Sequence, residues 1–313
     1  MKFAVTLPFL DAPPNPAFLS GSAIAALGQC AEEVGFDAAA LTDHPAPGER
    51  WRQAGGHDAL DPFVGLAFVA AATRRLRLLT CLVVLPYRNP FLLAKSAASL
   101  DVLSDGRLEL GLGAGYQKRE FAALGVDFDS RNELVDEALR LLPRIWSGEP
   151  VTHQGLHHEA VDVTSRPRPA QLPHPPLWLG GNSRLTCRRV VDHGTGWMPL
   201  PNPAATAAAL RSPALETVDD LSRLLDWCRS YAQSVGRPPP SEVMFSLPPL
   251  RTQTSDEELQ IHLDLIEQYR AIGVTWLNLE LHAPSVEAAQ GLLVRYSAVV
   301  RAGQRHRPEP TTP

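Results

Sequence analysis

Thr42-Asp43-His44-Pro45 sets a carboxylate beside an imidazole and follows them with a proline that fixes the exit of the chain. An imidazole changes charge near neutral pH, so His44 can serve as general acid or base, with Asp43 fixing its tautomer or raising its basicity. The plainer alternative is that Asp43 caps a turn and His44 is solvated. Gly180-Gly181-Asn182-Ser183 stands before a helical stretch. Backbone N–H groups and the positive end of a helix dipole favour an anion such as phosphate there, although a tight turn with an Asn/Ser cap would look the same. Gly113-Ala114-Gly115 would let a ligand or a neighbouring helix come close to the backbone. The Gly-flanked aromatic in Gly194-Thr195-Gly196-Trp197 either lines a pocket or forms a wall.

The first three of these places follow apolar runs of strand length, and the last overlaps one. Such runs occur at 3–7, 36–41, 76–85, 108–112, 177–179, 196–198, 242–247 and 274–281, and amphipathic stretches separate them. Eight strand–helix units with continuously apolar strands imply parallel strands covered on both sides, which a closed (β/α)8 TIM barrel satisfies. Its catalytic residues then belong at the C-terminal ends of the strands. A doubly wound dinucleotide fold would rest on Gly111-Leu112-Gly113-Ala114-Gly115. That stretch has Tyr116 where the fingerprint needs a final glycine, and it follows the fourth strand, not the first. The expected organisation is one barrel domain over 1–304, with insertions in its loops, and a disordered tail at 305–313. The run at 76–85 is too long for one barrel strand, which points to a bulge that pushes Cys81 toward the barrel mouth.

Composition removes other classes. The 29 Lys+Arg against 34 Asp+Glu give a net charge of −5, with no electrostatic reason to seek nucleic acid. The longest apolar runs fall short of a membrane span, and 1–8 is too short before its proline to be a secretory segment. A cytoplasmic protein without membrane partners is expected. The four cysteines stand singly, and His153, His157 and His158 lack regular ligand spacing, so no metal site is expected. No GxSxG elbow supports a serine hydrolase.

Pro86-Tyr87-Arg88-Asn89-Pro90-Phe91, Leu100-Asp101-Val102-Leu103-Ser104-Asp105-Gly106-Arg107-Leu108 and Gly111-Leu112-Gly113-Ala114-Gly115-Tyr116 together resemble the bacterial luciferase-like monooxygenase family. Gly35-Phe36-Asp37 and Asp43-His44 upstream extend the resemblance, as do Pro175-Pro176-Leu177-Trp178-Leu179-Gly180-Gly181 and Gly194-Thr195-Gly196-Trp197 downstream. Asp43-His44, Arg50-Trp51 and Gly56-His57-Asp58 resemble the branch that uses the deazaflavin coenzyme F420. The resemblance implies hydride transfer between that coenzyme and a small organic, apolar substrate, in a homodimer. It also implies a non-prolyl cis peptide at or next to Cys81-Leu82 behind the ring, with Thr80, Cys81, Leu82 and Gly113-Ala114-Gly115 around it. His44 and Asp43 would lie near the reactive edge, His44 as proton donor or acceptor and Asp43 as its orienter. Gly180-Gly181-Asn182-Ser183, with Gly196 and Trp197, would hold the coenzyme phosphate. Two positions depart from the family pattern. Tyr116 stands where some deazaflavin dehydrogenases carry a Glu, and Thr195 replaces an Asp, which argues against a sugar phosphate as substrate. The alternatives are an FMN-dependent monooxygenase that activates oxygen, and a flavin-binding barrel without turnover.

Overall fold

The computed structural model describes residues 1–8 and 14–305. Arg305 ends the last helix, and the rest of the tail expected at 305–313 lies outside the described residues. Eight strands form the barrel: β1 Lys2–Thr6, β2 Ala38–Leu41, β3 Arg77–Thr80, β4 Leu108–Gly113, β5 Leu177–Gly180, β6 Gly196–Met198, β7 Glu242–Ser246 and β8 Trp276–His282. Each pairs in parallel with the next, and β8 closes the ring on β1, with Phe3 opposite Leu277. The expected (β/α)8 architecture is therefore present.

Strand alternation divides the core in two. Ala4, Ala38, Ala40, Leu79, Trp178, Met198, Met244 and Trp276 fill the barrel interior. Small alanines on β1 and β2 leave room for Trp178 and Trp276, whose rings meet edge to face at 5.2 Å. The intervening residues, among them Ala39, Leu41, Leu177, Leu179 and Trp197, pack outward against the helices. Helix ends follow the sequence signals. Ser20 caps helix Gly21–Val34, and Gly35 ends it at φ 87°, a left-handed turn that suits glycine. Asp61 and Asn89 cap the proline-led helices Pro62–Ala72 and Pro90–Leu103.

The long run at 76–85 is broken where a bulge was expected. β3 stops at Thr80, the Cys81-Leu82 peptide is cis, and a two-residue strand, Val83–Val84, resumes pairing with β4. A Cβ at Gly113 or Gly180 would fall 2.5 or 2.1 Å from the Leu82 side chain. Those glycines thus make room for the residue that the bend turns inward. The excursion at 150–170 is an antiparallel hairpin, Val151–Gln154 with Glu159–Val163. His153 Nε2 lies 2.9 Å from Glu137, which also accepts from the backbone N–H groups of His157 and His158. That carboxylate organises the loop.

Candidate functional site

A cavity of about 640 Å³ opens at the C-terminal ends of the strands. Among the residues singled out from the sequence, Asp43, His44, Cys81, Leu82, Gly113, Ala114, Gly115, Gly180, Gly181, Asn182 and Ser183 line it. Three others do not. Thr80 is buried and spends its hydroxyl on Gly111 O at 2.8 Å, which ties β3 to β4. Gly196 lies against the Trp178 ring, where a Cβ would come within 2.4 Å. Trp197 faces the helix layer, and its indole N–H donates to Gly181 O at 3.0 Å. It braces the turn after β5 from behind and forms wall, not lining.

The expected Asp43–His44 partnership is absent. Asp43 Oδ1 accepts from Arg88 at 2.9 Å and Oδ2 from Val84 N at 3.1 Å, and Arg88 also reaches Asp61 at 2.9 Å. Asp43 therefore clamps the end of β2 to the segment just beyond the cis peptide. Burial pushes its carboxyl above the ordinary aspartate value despite Arg88. The carboxylate that meets His44 belongs to Glu120, on the short helix Lys118–Ala123 after β4. Glu120 is fully buried. Its Oε2 lies 3.2 Å from His44 Nδ1 and accepts from Tyr87 Oη at 2.8 Å, while Oε1 accepts from Ala46 N at 3.0 Å. Burial alone would raise this carboxyl, but the bonds from His44, Ala46 and Tyr87 together hold it below the ordinary glutamate value. An ionised Glu120 can only accept, so Nδ1 of His44 carries the proton between them. The Gln117 amide nitrogen Nε2 lies 3.1 Å from the same His44 nitrogen, and turning the amide over presents its oxygen to the Nδ1 proton instead.

A lid covers this group. Helix Glu49–Gln53 in the loop after β2 brings the Trp51 ring to 4.8 Å from His44, with His57 at 5.0 Å and Tyr116 at 6.2 Å. Burial holds the His57 imidazole below its usual value, which favours the neutral ring. This loop supplies two rings to the site, Trp51 and His57.

Across the mouth, Ser183 caps helix Arg184–His193 by accepting from Thr186 N at 3.1 Å. Asn182 is a brace: its amide donates to Leu200 O and Pro213 O and accepts from Leu200 N. The cations here come from elsewhere, as Arg131, Arg189 and Arg211 line the cavity beside the turn. Arg189 is paired with Asp136 at 2.6 Å. Arg131 and Arg211 stack over Phe128 at 4.0 and 4.7 Å and, among the described residues, neither has a carboxylate within ion-pair distance. Burial, then repulsion from Arg211, pulls the Arg131 guanidinium below its usual value. The floor carries the inward face of β8, Asn278, Glu280 and His282, with Thr6 of β1 and Ser246 of β7. Thr6 Oγ1 donates to Asn278 Oδ1 at 3.0 Å.

A family model described as luciferase-like monooxygenase matches residues 1–308. The chain belongs to the luciferase-like monooxygenase family. It is 29% identical over 220 residues to the F420-dependent glucose-6-phosphate dehydrogenase of Amycolatopsis mediterranei, covering 64% of this chain and 62% of that protein. It is 32% identical over 145 residues to the oxygenase component of the flavin-dependent trigonelline monooxygenase of Acinetobacter baylyi, covering 46% of this chain and 40% of that protein. The chain thus spans under two thirds of the length of these curated relatives. Monooxygenase RslO1 from Streptomyces bottropensis has the same fold, with a TM-score of 0.78 at 22% identity over 97% of this chain and 100% of that one.

In this luciferase-like barrel the candidate site residues that sequence reading missed are Tyr87, the three arginines and Glu280, which line the cavity, and Glu120, which meets His44. Glu280 had a visible signal, since Asn278, Glu280 and His282 alternate with Leu277, Leu279 and Leu281 along one strand. Glu120 had none, because 76 residues separate it from His44. The site unites an imidazole whose Nδ1 proton is fixed, an anion-accepting rim and a polar floor. That combination can bind an anionic, flat coenzyme and move one proton beside it.

Proposed function

We propose that this protein is an F420-dependent oxidoreductase that transfers a hydride between the deazaflavin and a small organic substrate. The observation that carries the reading is one cavity joining the His44–Glu120–Tyr87 chain to an end with two arginines that have no ion-pair partner among the described residues. The residues present fit such a coenzyme. Arg131, Arg211 and the Ser183 helix start would take its anionic arm, and Leu82, turned inward at the cis peptide, would back the ring. When bound, deazaflavin supplies a two-electron hydride carrier that reacts poorly with oxygen. His44 holds or gives up a proton at Nε2 while Glu120 keeps Nδ1 protonated, and Trp51 limits water above it. The relative named F420-dependent supports the choice of coenzyme. The FMN-dependent reading draws its support from the flavin-dependent relative.

Fluorescence titration of the purified protein with F420 and with FMN separates these readings. Micromolar F420 binding is expected, and tight FMN binding with no response to F420 would overturn the proposal. Turnover of any screened substrate would exclude a barrel that only stores flavin. We further infer a homodimer through helices Pro62–Ala72 and Pro90–Leu103, which expose Val64, Phe68, Leu92 and Leu103. Light scattering that returned one chain's mass of 34.1 kDa would contradict it.

A further inference from the structure

Glu280 stands apart from the other carboxylates inside the fold. Asp43, Asp101, Glu109, Glu120 and Glu137 each accept from at least one donor. Glu280 accepts from none among the described residues; it is half-buried and lines the cavity, with Thr6 as its register partner on β1. The one neighbouring polar group on β1 is engaged elsewhere, since the Thr6 hydroxyl donates to Asn278. The cavity's arginines lie around the turn after β5, across the barrel ring from β8. Burial, with no cation to oppose it, pushes the Glu280 carboxyl above the ordinary glutamate value. Its negative charge also adds to the burial that raises the Cys81 thiol to about 12, and Cys81 lines the same cavity.

The buried carboxylates Glu120 and Glu137 are satisfied by the protein itself, whereas Glu280 is half-buried and opens onto the cavity. A carboxylate open toward a cavity requires a ligand that fills the cavity to bring a donor of its own. We propose that Glu280 anchors the substrate and that the substrate presents it with a basic nitrogen, an amine or a protonated nitrogen heterocycle. An N⁺–H group supplies both the missing hydrogen bond and the missing counter-charge. An anion would meet repulsion there, and a purely apolar edge would leave the carboxyl unsatisfied. This inference rests on the reading of the cavity as a substrate site and is independent of which coenzyme is bound.

The test is calorimetric titration at neutral pH of the wild-type protein, Glu280→Gln and Glu280→Asp with benzylamine against benzyl alcohol, and with cyclohexylmethylamine against cyclohexylmethanol. F420 and FMN are titrated in separate arms. Each amine is expected to bind the wild type about tenfold more tightly than its alcohol. The preference should collapse in Glu280→Gln and be partly kept in Glu280→Asp, with coenzyme affinity unchanged in both. Amine binding no tighter than alcohol, no amine binding at all, or a preference retained in Glu280→Gln would overturn the proposal. So would loss of coenzyme affinity in Glu280→Gln, which would set Glu280 against the coenzyme. If no coenzyme binds the wild type while the amine preference stands, the hydride-transfer reading fails and this one does not.

Discussion

Glu120 and Glu280 are both carboxylates under the mouth of one barrel, and their surroundings push them in opposite directions. Glu120 has His44, Tyr87 and a backbone N–H around it, and its carboxyl is held down. Glu280 has only burial, and its carboxyl is driven up. The first arrangement fixes a proton on a neighbour before any ligand arrives. The second leaves a vacancy in the hydrogen bonding that a ligand can fill. The barrel thus provides a rigid acid/base group on the β2–β4 side and an adaptable anchor on β8.

The largest expected effect lies on the rigid side. His44→Ala should lower turnover by about 10²-fold or more while coenzyme affinity in the fluorescence titration is preserved. Unchanged turnover would remove His44 from the chemistry. Next comes Glu120→Gln, which should destabilise the fold by about 1–3 kcal/mol at neutral pH, because the neutral amide cannot satisfy three donors as a carboxylate does. Glu120 has a folded value below the unfolded one. Its contribution is therefore complete above the ordinary glutamate value and is lost as pH falls through the folded value. The Tm gap between wild type and variant should close accordingly on acidification.

Glu280→Gln should show the reverse sign. With the folded value raised, charging Glu280 costs stability that is absent below the ordinary glutamate value and grows as pH rises toward the raised one. The variant is expected to melt higher than wild type near pH 8 and together with it at about pH 4. A lower melting point at pH 8 would mean that Glu280 has a partner in the folded protein. The smallest effect belongs to Trp197→Phe, which loses one hydrogen bond behind the turn, about 1 kcal/mol of stability, and should change coenzyme affinity by less than about threefold.

Much of the scaffold was readable in the sequence because its rules are local. Gly35 and Gly273 stop helices where left-handed backbone is needed, Pro62 and Pro90 start them, and an overlong apolar run marked the break after Thr80. The partners within the site were less legible. Asp43 and His44 lie in the loop beyond β2, and although both line the cavity, the first meets Arg88 and Val84 and the second Glu120, partners that their adjacency in sequence does not encode. Strand alternation puts Gly196 inside the barrel and Trp197 outside it. Glu120 reaches His44, and the arginines reach the cavity, only because the barrel closes, and no local pattern encodes that.

Glu120, and not Asp43, meets Nδ1 of His44 and fixes its proton. Long-range ¹H–¹⁵N NMR of the histidine side chains reads this without a substrate. The neutral His44 ring is predicted to carry its proton on Nδ1, and to keep it there in Asp43→Asn. A proton on Nε2 in the wild type, or a tautomer that switches in Asp43→Asn, would contradict the account.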